Sequence, residues 1–166
     1  MKKETCHDCG KEVNVIVGNY QFKEVGLPVV LMGIELVRCD NCGTTEPIIP
    51  NLNGLMDAIA YAVISDKCKL DGAEIRFLRK YLGMSAAEFS QLIHVDPATI
   101  SRWENGPQNP GPQADSLIRL TVLNKTPDLR VHIEEMMTMI ATIQHCGPPR
   151  KRQLRINPKT LKCQYA

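Results

Sequence analysis

Two pairs of cysteines stand out by type and spacing: Cys6-His7-Asp8-Cys9 and Cys39-Asp40-Asn41-Cys42, each followed at once by a glycine, Gly10 and Gly43. A C-x2-C turn sets two thiolates side by side over adjacent backbone N–H groups, and the glycine lets the chain curl round the sulfurs. Two such turns supply four soft ligands, the set that suits tetrahedral Zn2+. Four thiolates leave no open coordination position, so one structural ion is expected on Cys6, Cys9, Cys39 and Cys42. Disulfides or a redox dithiol are the competing chemistry, but redox pairs rarely come as two matched turns, and no βαβ pattern surrounds either one. His7, inside the first turn, reads as a neighbour of the site, and Cys68, Cys146 and Cys163 read as free thiols.

A second constellation points to recognition instead of ligation. Asp96 is a good helix N-cap, Pro97 suits the first helical position, and the run continues through Ile100, Ser101, Arg102 and Trp103 to a Gly106-Pro107 stop. Just upstream, Ser85 and Glu88 have the spacing of a capping box, in which each residue satisfies a free amide of the other. Two capped helices across a four-residue turn, ending in S-R-W-E-N-G, resemble the Xre and phage-repressor class of helix-turn-helix; a purely structural helical hairpin is the bland alternative. That resemblance implies a second helix lying in the major groove of DNA, with its N-terminal residues and one a turn later facing base edges. Pro97, Ala98 and Arg102 fall there. Ala98 offers a methyl to thymine, whereas Arg102 can pair with guanine O6 and N7. Thr99 and Ser101 carry hydroxyls that either reach a base or phosphate or stay solvated. Arg76, Arg79, Lys80 and the helix-end amides near Ser85 and Asn105 are candidate phosphate ligands, with an ordinary solvated face as the alternative for the three cations. Ala87, Phe89, Leu92, Ile100 and Trp103 are assigned to the core.

These residues need elements to hold them. Between the cysteine pairs lie 29 residues containing the Val- and Ile-rich runs 12–17, 19–25 and 29–37, broken by Gly18, Gly26 and Pro28. A small twisted sheet stapled by the metal follows. After Pro47 and Pro50, Leu52, Leu55, Met56, Ile59, Val63 and Ile64 recur at helical spacing. Asp71 then caps a helix with Ile75, Leu78 and Leu82 at core spacing and Gly83 as its stop, and beyond Pro112 another helix carries Leu117, Leu120 and Leu123. Past Pro127, Leu129, Ile133, Met136, Ile140 and Ile143 alternate steps of four and three until Gly147, a seam for a second copy or for the chain's own core.

The expected architecture is α+β: a zinc-stapled β module (1–50), a linker helix (51–70), an all-α helix-turn-helix domain (71–126), a C-terminal helical extension suited to dimerisation (127–149) and a basic tail (150–166). The formal net charge is +2, but six basic residues and no acidic one fall in 150–166, leaving 14 basic against 18 acidic before them. DNA binding by the body therefore has to rest on local contacts, and the tail is either a disordered solvated end or an arm along phosphates. Metal-binding cysteines, and the lack of an export signal or an apolar run of membrane length, place the chain in a reducing cytoplasm, at the nucleoid when on DNA, with no membrane partner.

The two cysteine knuckles, linker helix and S-R-W-E-N-G reader together resemble, over roughly residues 4–126, the MqsA antitoxin family, the YgiT-type zinc finger/helix-turn-helix proteins. The resemblance implies a transcriptional repressor that autoregulates its own operon, binds a palindromic operator as a homodimer, and neutralises a small ribonuclease toxin through its zinc-bearing half. It places the metal ligands on Cys6, Cys9, Cys39 and Cys42 and the base-reading arginine on Arg102. A familiar family member has Asn where this chain has Ala98, which implies a different operator, and the region after Pro127 runs beyond the family pattern. The rival is a stand-alone regulator of the Xre class whose zinc module senses metal or oxidant or holds another protein. An enzyme would need an open metal position and a base, which only His7 or Glu12 could supply, so no catalytic residue is expected.

Overall fold

The computed structural model describes residues 5–141 and 152–166. The fold is α+β, and the chain packs as two compact units: the described residues of 1–23, 28–55 and 152–166 in one, and those of 24–27 and 56–151 in the other.

The first unit is built on a sheet of five strands. Strand β1 (Asn14–Phe22) pairs antiparallel with β2 (Val29–Arg38), from Asn14 opposite Arg38 to Phe22 opposite Val29, with a register shift between Gly18 and Tyr20. The intervening turn contains a 3-10 helix, Lys23–Val25. Strand β3 (Thr45–Pro47) pairs antiparallel with the end of β2. Strand β2 is central, and Val29, Leu31, Ile34 and Leu36 along it are buried.

The sequence-based expectation of a basic tail over 150–166 needs correction for its described part. Leu154–Ile156 form β4, parallel to β2 with Leu154 opposite Val29 and Ile156 opposite Leu31, and Cys163–Tyr165 form β5, antiparallel to β4. Leu154 and Ile156 are buried while Arg155 between them is exposed, the period-two alternation of a half-buried strand. Three residues of alternation inside a highly charged stretch are too short a signal to read, and their partner lies more than a hundred positions away. Instead of trailing as an arm, the hairpin finishes the sheet.

Helix α1 (Leu52–Ile64) buries Leu55, Ile59, Val63 and Ile64 of the expected face together with Ala60, while Met56 is half-buried and Leu52, expected inside, is exposed at the helix start. The second unit continues with α2 (Gly72–Tyr81), α3 (Ala86–Leu92), α4 (Pro97–Asn105) and α5 (Pro112–Lys125). Asp71 caps α2 in a full capping box with Glu74. On α5 the buried apolar residues are Ile118, Val122 and Leu123, with Leu117 turned outward. Its Arg119 is wholly buried: it pairs with Asp115 at 2.6 Å and donates to the carbonyls of Ile64, Asp66 and Cys68, while Asp115 accepts from the Leu70 amide. Three bonds of that guanidinium, and Asp115 through the Leu70 amide, therefore fix the 64–70 loop to α5.

Past Pro127 the chain forms a 3-10 segment (Pro127–His132) and a short α6 (Ile133–Ile140), where one longer helix to residue 149 was expected; Ile143, Cys146 and the stop at Gly147 lie outside the described residues. Leu129 and Met136 of the expected seam face inward, whereas Val131, Ile133 and Met137 are exposed. No described helix is long and apolar enough to cross a membrane.

Candidate metal centre and nucleic-acid interface

In the first unit both knuckles fold in the same way. Gly10 N–H donates to the Cys6 carbonyl at 2.9 Å and Cys6 N–H to Lys11 O at 2.8 Å; Gly43 N–H donates to Cys39 O at 2.8 Å and Cys39 N–H to Thr44 O at 2.9 Å. Gly10 and Gly43 have φ of +69° and +77°, the left-handed region where a side chain is strained. The turns bring the four Sγ atoms within 4.8 Å of one another, with Cys6 to Cys42 and Cys9 to Cys39 both 3.5 Å apart. A tetrahedron with Zn–S bonds of about 2.3 Å has edges of about 3.8 Å, so the four cysteines lie at metal-binding distance. His7 is exposed and is not one of the clustered groups.

The surroundings of the sulfurs include groups that motif spacing does not reveal. Cys6 and Cys39 are buried, Cys9 half-buried and Cys42 exposed. The Thr44 hydroxyl lies 3.3 Å from Cys42 Sγ and donates to Asp8 at 2.8 Å, and Asn14 donates to Asp40 at 2.7 Å. The hydrogen bond with the Thr44 hydroxyl is the leading cause that draws the Cys42 thiol down to about 6, with the Thr44 backbone next.

In the second unit the helix-turn-helix is assembled from its caps. Ser85 Oγ accepts from Glu88 N–H at 3.2 Å, and the Glu88 carboxylate accepts from the Ser85 hydroxyl at 2.7 Å and from Ser85 N–H at 2.8 Å; the hydroxyl first and the amide second hold Glu88 below the usual carboxylate range. The turn passes through His94 at φ +53°. Asp96 then accepts from Ala98 N–H at 2.7 Å and Pro97 opens α4. Ile100 and Trp103 anchor α4 inside, while Pro97, Ala98, Ser101, Arg102 and Asn105 are exposed and Thr99 is half-buried. Positions 97, 98, 101, 102 and 105 share one face at helical spacing. On α3, Phe89 and Ser90 are buried and Ile93 behind them completes the packing; Leu92 is half-buried and Ala87, expected inside, is exposed.

The three cations of α2 separate. Arg79 is committed to the interior: its guanidinium donates to both oxygens of Glu104 and to the carbonyl of Met84. It is thus corrected from a phosphate candidate to a clamp between α2 and α4, a role hidden in the sequence because Glu104 looks like one more surface acid. Arg76 is half-exposed and bonds Glu104 O at 2.8 Å and the side chain of Asn105, and Asn105 donates to Ser101 O at 3.1 Å. Lys80 and Arg102 are exposed and neither makes a side-chain hydrogen bond or ion pair among the described residues. Gly72 closes the same contact from the other side: a Cβ there would sit 2.2 Å from the Trp103 carbonyl.

Comparison with known proteins agrees with this geometry. Residues 75–114 match the helix-turn-helix family. Over 63 residues the chain is 33% identical to Antitoxin HigA-2 of Vibrio cholerae serotype O1, a stretch covering 38% of this chain and 59% of that protein. The chain thus spans about three fifths of the length of the curated relative it matches. No solved structure matches it significantly. Residues 75–114 are thus similar to the helix-turn-helix family, in a chain that also gathers four cysteines at one point.

Proposed function

We propose that the protein is a sequence-specific DNA-binding repressor of the MqsA type, the antitoxin of a type II pair, which autoregulates its operon in the cytoplasm as a homodimer. Its first unit holds one structural Zn2+ on Cys6, Cys9, Cys39 and Cys42 and binds a small ribonuclease toxin. The observation that carries the DNA side is the exposed face of α4, where Arg102 has no described partner while Arg79, Glu104 and Trp103 fix the helix from behind. Arg102 reads guanine in a palindromic operator, Ala98 and Pro97 meet apolar base edges, and Thr99 and Ser101 donate to bases or phosphate. Lys80, Arg76 and the helix-end amides near Ser85 and Asn105 set the register on phosphates. The similarity to a protein named as an antitoxin supports the toxin partner.

The test has two arms. Arg102→Ala should weaken binding to the upstream promoter by about 1–3 kcal/mol more than binding to random duplex; equal losses would reduce Arg102 to a phosphate contact. The product of the adjacent reading frame should co-purify with the chain. A regulator that binds its promoter but brings down no such product would be a stand-alone one.

A further inference from the structure

The Thr44 hydroxyl stands between two acceptors, and it has one proton. Asp8, from the first knuckle, takes it at 2.8 Å, and Cys42 Sγ of the second knuckle lies 3.3 Å away. Cys42 is also the exposed member of the four cysteines, where Cys6 and Cys39 are 7% and 1% accessible. A competing ligand arriving from solvent meets this sulfur first. Bound to a cation, Cys42 is a thiolate that can only accept, so two anions then compete for the Thr44 proton. Hydrogen bonds from outside the ligand set spread the excess charge of a four-thiolate centre and orient its sulfurs.

Resting on the reading of the four cysteines as a zinc site, we propose that Thr44 is a positioning residue of that centre: its hydroxyl holds the Cys42 thiolate, and Asp8 competes for the same proton. The two side chains, one from each knuckle, set how readily the exposed ligand lets go of the metal. Valine at position 44 keeps the branched shape and the carbonyl that Cys39 N–H uses, so it isolates the hydroxyl.

The experiment loads the full-length chain with Zn2+ and follows transfer to a chromogenic chelator, with the sulfur-to-metal charge-transfer band of the Co2+ form as a second readout. Thr44→Val should release zinc about tenfold faster and shift the band, and Thr44→Ser should restore both. Asp8→Ala should slow release severalfold in the native background and have no effect once Thr44→Val is present. Equal rates in native chain and Thr44→Val would overturn the proposal. So would an Asp8→Ala effect that persists beside Thr44→Val, since Asp8 would then act through its charge alone. A native chain that takes up no zinc would instead overturn the metal reading beneath it.

Discussion

Arg79 of α2 grips both carboxylate oxygens of Glu104 in α4, at 2.6 and 2.8 Å, and turns its third nitrogen to the Met84 carbonyl at 2.9 Å. The pair is 13% and 7% exposed, so neither charge can fall back on water. Removing one partner of such a pair strands the other. Arg79→Met should therefore destabilise the helical unit by roughly 3 kcal/mol. Trp103, the chain's one tryptophan, sits buried next to Glu104, and its fluorescence in a urea titration is the measurement. An unchanged midpoint would mean that Arg76, 3.5 Å from Glu104, suffices alone.

Lys80 directly follows the clamp residue Arg79 yet is exposed. If it touches a phosphate, Lys80→Gln should weaken operator and random duplex alike and lower the slope of log affinity against log salt by about 1. A constant slope in a salt series would remove it from the interface.

The C-terminal hairpin changes what a truncation should do. Ending the chain at residue 151 removes Leu154 and Ile156, both buried against β2, and uncovers that strand's edge. The loss should be about 3–6 kcal/mol from the two side chains, seen as early melting of the cysteine-bearing unit and as aggregation. A truncated chain that melts like the native one would show the hairpin to be dispensable.

Burial raises Glu74 to about 7, with the neighbouring Asp71 charge adding to it. Between the ordinary carboxyl value of 4.5 and about 7, the folded chain holds a proton that the unfolded chain has released. Stability should thus fall as pH rises through that window and level off above it. Glu74→Gln keeps an acceptor for the Asp71 amide and should flatten the profile. Melting temperatures at half-unit steps from pH 5 to pH 8 compare the two; parallel curves would rule out Glu74 as the source.

The proposed dimer has a preferred face. Val131, Ile133 and Met137 are 79%, 48% and 56% exposed, while Met136 is 3%. Met137→Glu should give monomers in sedimentation without loss of fold, whereas Met136→Glu should unfold the segment. Dimers that survive Met137→Glu would move the contact elsewhere.

The parts of this molecule legible in its sequence are those whose physics is local. Ser85 finds Glu88, Asp96 finds Ala98 N–H, and Cys6 finds Cys9, all within a turn of chain, and the structure reproduces these contacts. The cysteine pairs could be matched across 29 residues because their type is rare. Leu154 and Ile156 carry no such mark, since they differ from surface apolar residues only through a parallel partner at Val29 and Leu31. Arg79 likewise reads as solvated until α4 is placed against α2 and Glu104 arrives beside it. Ala87 went astray for a related reason: a seven-residue helix offers fewer than two turns, too little to fix the phase of its inner face.

Strand β4 lies along β2, so the sheet that starts near the first cysteine pair is finished by residues made more than a hundred positions later. The helix-turn-helix can fold while synthesis continues, because all its parts emerge earlier. The cysteine-bearing sheet must wait for residues 154–165. A nascent chain stalled before residue 154 would thus carry a finished helix-turn-helix and a sheet with an open edge.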